Sequence, residues 1–395
     1  MRRRLGPAAL LCACWAAMWE LAPFADTRIT DIYVYAHDAA LLAGGAAPYS
    51  HGFPFEYPPL ALVPLWLAHA LGGGYETTFG LLMLLAALAT LAGVGALGGP
   101  RAAWAFALTP LLAGALLRTH YDLVAAAVLV AALVAFARDR PPIGFALLGA
   151  GAMVKGFPVV LVPVAMAWCW GQGRRATALW GATAFVAVSL AVSAPFLGQG
   201  YLDAYRFHLD RPVQVESTPA VVLYALGGTA VTGTGTVPDA YNSNGLTGGA
   251  AGAVQALFGV LAVAAIALLA WLASLRAEPR HLILCCTGAV LAFVALGKVL
   301  SPQYVAWLAP LAAVLVAWRE RATAAALTLA IVLTQVEFPR HYQALVRGDD
   351  AVRALVGARD AALLAALALV IARAAAAARS PRRAGVGPRS APAPP

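Results

Sequence analysis

Long apolar runs recur from one end of the chain to the other, separated by short polar connections. Runs of about 18 or more uncharged residues read as membrane spans. Helical spans are expected over roughly 5–25, 77–97, 101–117, 121–137, 142–155, 156–171, 176–197, 250–275, 281–299, 302–318, 321–337 and 355–377. Several are short, so tilted, broken or re-entrant helices are expected among them. The stretch 59–71 (PLALVPLWLAHAL) is too short to cross comfortably and suits a helix lying in the interface. The pattern predicts an all-α polytopic membrane protein with about twelve transmembrane helices and an interfacial helix in the first outer loop. One transmembrane domain is expected over 1–378, followed by a Pro/Ala/Arg-rich tail, 379–395, expected to be disordered. No internal repeat is visible, which counts against a repeat-built transporter.

Composition strengthens this picture. Hydrophobic residues make up 62% of the chain and charged residues 11%, against about 25% charged in a soluble protein. The net charge of +9 does not point to nucleic acid, because the basic residues sit in short clusters between apolar runs. With the N-terminus inside and 59–71 interfacial, the inner connections carry Arg101, Arg138, Arg140, Arg174, Arg175, Arg276, Arg280, Arg319, Arg321 and the Arg-rich tail. Asp139, Glu278 and Glu320 are the acids on that side. Counting 59–71 as a span would invert the pattern. The positive-inside rule therefore places both termini in the cytoplasm of a cell-membrane protein. The start, Arg2-Arg3-Arg4 and then Leu5 to Ala25, reads as an uncleaved first helix. Three outer regions are long enough to build a site: 26–76, 198–249 and 338–354. The second holds a Gly/Thr-rich stretch, GGTAVTGTGTVPDAYNSNG, that reads as a mobile loop. The five cysteines all lie in apolar segments and suggest neither a zinc site nor a disulfide framework.

Charge placed at membrane depth is costly, so it marks candidate chemistry. The chain has 25 arginines and only two lysines, Lys155 and Lys298. Each stands where one helix ends and a proline restarts the chain. The plain alternative is a lysine snorkelling to the interface; two of them facing one aqueous boundary make an anion site the better reading. Arg118, His120 and Asp122 form a third outer cluster, with an internally satisfied Arg–Asp pair as its alternative. The first outer loop is the richest region. Asp31, Tyr35 and Asp38 share a face if 31–42 is helical, and Asp31 has helix capping as its alternative role. Tyr35, Tyr49 and Tyr57 belong to an aromatic set that suits either an interface belt or a sugar-binding surface.

Asp31-x-x-x-Tyr35, Gly45-x-x-Pro48-Tyr49 and Tyr57-Pro58-Pro59-Leu60 resemble the first outer loop of glycosyltransferase family 87. Lys155-x-x-Pro158 and Lys298-Val-Leu-Ser301-Pro302-Gln303-Tyr304-x-x-Trp307-x-x-Pro310 are similar to the same family. The likeness spreads over roughly 27–312, and the Lys-Val-Leu-Ser-Pro-Gln-Tyr string is its most specific element. The resemblance implies a GT-C-like helical bundle with an extracytoplasmic site. It implies a polyprenyl-phosphate-dependent mannosyltransferase with a catalytic aspartate in the first outer loop. By position that residue is Asp31, with Asp38 in reserve.

The implied partners are membrane lipid, a polyprenyl-phosphate-linked sugar as donor and a glycolipid or glycan as acceptor. On this reading Lys298, Lys155 and Arg118 surround the leaving phosphate, with Gln303 and Tyr304 as hydrogen-bond donors. Tyr35, Tyr49, Tyr57 and His120 take the sugar or the acceptor. Neither a cofactor nor a metal ion is expected. A multi-pass transporter or lipid flippase is the alternative; it predicts functional charges near the bilayer midplane, whereas here they gather on one side.

Overall fold

A computed structural model describes residues 2–198, 200–227, 230–232 and 244–379. Most of this chain is helical. The helices are α1 (Arg2–Glu20), α2 (Ile32–Ala43), α3 (Leu62–Ala70), α4 (Tyr75–Ala107), α5 (Thr109–Ala113) and α6 (Leu116–Thr119). There follow α7 (Asp122–Ala137), α8 (Pro141–Val154), α9 (Leu161–Gly171), α10 (Arg175–Ser193), α11 (Tyr201–Asp210) and α12 (Thr218–Ala225). The last are α13 (Ala251–Ser274), α14 (Pro279–Leu296), α15 (Val305–Ala317), α16 (Arg321–Glu337), α17 (Tyr342–Val346) and α18 (Asp350–Arg379). A small antiparallel sheet joins β1 (Val213–Gln214), β2 (Ala230–Thr232) and β3 (Gly245–Thr247) in the order β1-β3-β2.

Among the described residues, five helices are long and apolar enough to cross a membrane: Tyr75–Ala107, Arg175–Phe196, Ala251–Ser274, Pro279–Leu296 and Asp350–Arg379. Six further apolar helices run 10–17 residues. The protein is an all-α polytopic membrane protein. Its outer faces carry large apolar side chains open to the surroundings, among them Trp180, Val186 and Leu190 on α10 and Val260, Val263 and Trp271 on α13. Such surface is stable in lipid and not in water. The inner helices α14 and α15 are buried almost all round, as a helix apolar on every face must be. Close packing needs small residues. A Cβ on Gly149 of α8 would lie 2.7 Å from the Phe185 carbonyl oxygen of α10.

Two expected spans, 77–97 and 101–117, take a different form. The first is continuous with the start of the second in α4, which bends at Gly99, where φ is +71°, just before Pro100. The second then breaks into α5 and α6, because Pro110 starts a new turn and Gly114 adopts φ +59°. The stretch 59–71 forms a helical turn and the nine-residue α3, packed against α2 and α4. The tail 380–395 and most of the Gly/Thr-rich stretch lie outside the described residues.

The bundle has two unlike ends. At one end Arg174 Nη1 meets Asp139 at 2.6 Å, and Glu320 is shared by Arg373 at 3.0 Å and Arg280 at 3.7 Å. Helices α7 and α8, of 16 and 14 residues, reach about 24 and 21 Å at 1.5 Å per residue. That is short of a hydrocarbon core about 30 Å thick. Just beyond their far ends, His120, the Lys155–Val159 link and the 297–304 link line a cavity at the other end of the bundle.

Candidate functional site

The cavity has a volume of about 780 Å³. It is lined from the first long loop, from His120, from the Lys155–Val159 link, from 201–216, and from the 297–304 link between α14 and α15. Residues scattered over most of the chain thus meet at one place.

Asp31 stands just before α2. Its side chain makes no capping bond, and the Thr30 hydroxyl takes the Ile32 N–H instead, at 3.2 Å. The carboxylate is turned to the cavity and about a third exposed. Its Oδ2 accepts from the Tyr35 hydroxyl at 3.4 Å and lies 3.4 Å from His120 Nε2. Burial pushes its pKa up, but His120, Lys155 and the Tyr35 hydroxyl outweigh burial and hold it below the ordinary aspartate value.

The neighbours of His120 fix its tautomer. The Thr119 hydroxyl spends its proton on the Ala115 carbonyl at 2.9 Å. The His120 Nδ1 lies 3.0 Å from that hydroxyl and 3.2 Å from the Leu116 carbonyl, and both can then only accept. Nδ1 therefore carries hydrogen, and Nε2 carries one only in the imidazolium. A proton on Nε2 turns the Asp31 contact into an ion pair.

Lys155 ends α8 with its ammonium 3.0 Å from Asp122 Oδ2, 4.4 Å from the Tyr121 ring centre and 5.3 Å from that of Tyr57. Asp122, fully buried, opens α7, where the helix dipole favours a carboxylate. Lys298 donates to the Leu209 carbonyl at 2.5 Å and the Arg211 carbonyl at 2.8 Å, which ties α11 to the α14–α15 link. Burial and the Arg211 charge lower its pKa, against a smaller opposing pull from Asp210. Gln303, Tyr304 and Tyr57 also line the cavity. Tyr304 stacks on Trp307, and Trp307 stacks on Phe157, each at 3.9 Å.

Four expected site residues do not reach the cavity wall. Arg118 is drawn to Glu76 of α4 at 2.5 Å and lies over the Trp19 ring at 4.1 Å. Its partner is thus Glu76, and Asp122 belongs to Lys155. Tyr35 is completely buried behind the wall, among Tyr57, Phe79 and Tyr121. Tyr49 is buried too, and its hydroxyl donates to the Tyr57 carbonyl at 2.7 Å, so it braces the loop. Asp38 lies seven residues along α2 from Asp31, about 10 Å further up the helix axis.

The structure adds residues that the sequence reading left without a role. Glu56 lines the cavity beside Tyr57, and its carbonyl accepts from His208 Nε2 at 2.9 Å. Burial raises its pKa; the Tyr57 hydroxyl and Arg211 pull the other way. His208 is pushed down to about 4 by burial and by Arg211. Tyr205, His208, Arg211 and Glu216 all come from one polar run, YLDAYRFHLDRPVQVE, and that density in so apolar a chain is the signal that marks them.

The model of glycosyltransferase family 87 matches residues 55–302. Among curated proteins, none matches the sequence. The crystal structure of ArnT from Cupriavidus metallidurans bound to undecaprenyl phosphate overlaps with a TM-score of 0.47 at 15% identity, covering 94% of this chain and 77% of that one. The apo structure of the same enzyme gives 0.48 at 15% identity, covering 94% and 76%. The Archaeoglobus fulgidus oligosaccharyltransferase, tethered to an acceptor peptide, gives 0.44 at 14% identity, covering 94% and 55%. Overlaps this loose assign no residue.

Proposed function

The chain belongs to glycosyltransferase family 87, and from that premise we propose that it moves mannose from a polyprenyl phosphate to a lipid-linked or glycan acceptor on the extracytoplasmic side. Membership of the family makes it a membrane glycosyltransferase and removes the transporter or flippase reading. The observation that supports the finer reading is the meeting of Asp31 with Lys155 and Lys298 around one cavity. A carboxylate from the first loop there faces cations from two other links.

Asp31 takes the proton of the acceptor hydroxyl as that oxygen bonds to the anomeric carbon. The bond from that carbon to the phosphate oxygen breaks in the same displacement, which inverts the anomeric centre. The departing polyprenyl phosphate gains negative charge, and Lys155 and Lys298 stabilise it most where that charge is greatest. Lys155 is already paired with Asp122, so its contribution is the remaining N–H donors of its ammonium. Gln303 and Tyr304 add donors to the phosphate, and Tyr57 and His120 flank the sugar. Fixed cations fill the role of a metal ion, so turnover should survive EDTA. The arginine-rich end of the bundle lies opposite the cavity, which agrees with an extracytoplasmic site under the positive-inside rule.

Incubation of membranes with radiolabelled polyprenyl-phosphate mannose tests the proposal. Label should pass to a new glycolipid or glycan. Transfer from a nucleotide sugar alone would refute it.

A further inference from the structure

The cavity has a second polar wall that the donor chemistry leaves unused. Gln214, Glu216, Asn244, Phe338, Tyr342 and Gln343 form it. Glu216 and Asn244 are only 1% and 6% exposed, yet both border the cavity. Each keeps one buried oxygen unpartnered among the described residues, Glu216 Oε1 and Asn244 Oδ1. Their remaining side-chain atoms are fixed. Gln214 Nε2 donates to Glu216 Oε2 at 3.0 Å, and Asn244 Nδ2 donates to the Tyr342 hydroxyl at 3.0 Å. Buried polar atoms are normally paired, so two orphaned acceptors on one wall call for a ligand that donates.

The charge behind the wall narrows the choice. Arg359 donates to Asp360 Oδ1 at 2.9 Å and to the Glu216 carbonyl. Glu337 lies within hydrogen-bond reach of Glu216. One guanidinium thus bonds the Asp360 carboxylate and lies near the carboxyl groups of Glu216 and Glu337. Asn244 Oδ1 has no hydrogen to offer a phosphate, and the Glu216 and Glu337 carboxyl groups bring it no positive charge. A sugar hydroxyl would donate to those same oxygens. The Phe338 and Tyr342 rings, set edge to face at 5.7 Å, add apolar surface for the carbon skeleton of a sugar.

We propose that this wall is the acceptor subsite, and that it takes a neutral, hydroxyl-rich sugar whose hydroxyls donate to Glu216 and Asn244. The inference rests on the glycosyltransferase reading and divides the cavity between the two substrates. The donor phosphate takes the lysine side and the acceptor glycan takes the Glu216 side. Both sides border one segment, because the Gln214 N–H donates to the Lys298 carbonyl at 2.9 Å.

The test uses the full-length protein in lipid nanodiscs. Its unfolding temperature is followed against neutral methyl glycosides (mannoside, glucoside and galactoside), and undecaprenyl phosphate binding is measured in parallel. At least one glycoside should stabilise the wild type at millimolar concentration. Glu216→Gln should raise the concentration needed about tenfold or more, the scale of one lost charge-assisted bond. Asn244→Leu removes the second orphan oxygen and carries the same test if Glu216→Gln fails to fold. Both variants should bind undecaprenyl phosphate normally, and Lys298→Met should show the reverse pattern. The assignment falls if no glycoside stabilises the wild type, or if Glu216→Gln loses undecaprenyl phosphate and keeps the glycoside. Glycoside binding that depends on Glu216, in a protein that turns over no polyprenyl-phosphate sugar, would fault the donor reading and uphold this wall as a sugar site.

Discussion

The Lys155 ammonium lies 3.0 Å from an Asp122 carboxylate that is closed to solvent. Removing one member of such a pair leaves a buried charge uncompensated, at a typical cost of about 3–5 kcal/mol. Lys155→Met should therefore lose stability together with donor use. Adding Asp122→Asn should restore most of the stability and none of the activity. Thermal unfolding and transfer assays on the two single variants and the double variant separate these effects. A double variant as unstable as Lys155→Met would show that the lost pair is not the cause.

Two carboxylates face the cavity from the first loop, and their environments push them apart. Asp31 is held below its ordinary value and Glu56 above its own. A general base works only when deprotonated. With Asp31 as base, the acid limb of kcat/KM should fall below about pH 3.9, the ordinary aspartate range. Asp31→Asn should cut turnover by about 10²–10⁴-fold, the usual scale for a lost acid–base group. A limb above about pH 4.3 that disappears in Glu56→Gln would transfer the role to Glu56.

Lys298 holds two backbone carbonyls as well as facing the cavity. Lys298→Met should raise the donor KM about ten- to a hundredfold, the cost of one charge-assisted contact. Lys298→Arg keeps the charge and should recover part of the loss. Donor titrations at saturating acceptor provide the measurement, and an unchanged donor KM in folded Lys298→Met would exclude a phosphate role.

Asp38 should be dispensable for transfer. Burial, with a smaller push from Glu56, raises its pKa to about 7. A raised carboxyl pKa favours the neutral form in the folded protein, so stability drains away as pH climbs from the ordinary aspartate range to about 7. Asp38→Asn should consequently raise the melting temperature at pH 8 and change it little at pH 4. Loss of turnover in Asp38→Asn would return this residue to the site.

Reporter fusions check the orientation. Fusions at residues 48 and 230 should report outside the cytoplasm, and fusions at 174 and 385 inside it. A cytoplasmic signal at residue 48 would invert the whole arrangement.

Much of the architecture is legible from sequence because lipid exposure leaves a local mark. Each span announces itself as an apolar run, whereas the break at Gly114 falls inside an expected span, 101–117. Pairing between segments leaves no such mark. Arg118 and Asp122 look like partners four residues apart, yet Arg118 reaches Glu76 and Asp122 takes Lys155. Tyr35 and Tyr49 carry the right chemistry in the right loop, but packing turns one behind the wall and spends the hydroxyl of the other on a carbonyl. Glu216 belongs to a conspicuously polar run, but its place in the cavity appears only when the segment after α11 is brought beside the α14–α15 link.

The Gln214 side chain has a direction that it cannot reverse. Its Oε1 accepts the Leu300 backbone N–H at 2.9 Å, and a main-chain amide has only a hydrogen to offer. The NH₂ group must then point at Glu216 Oε2, which is obliged to accept. Oε2 is thereby committed to Gln214, and Oε1 is the Glu216 oxygen that no donor among the described residues reaches. A single peptide group in the lysine-bearing link thus sets the polarity of the opposite wall.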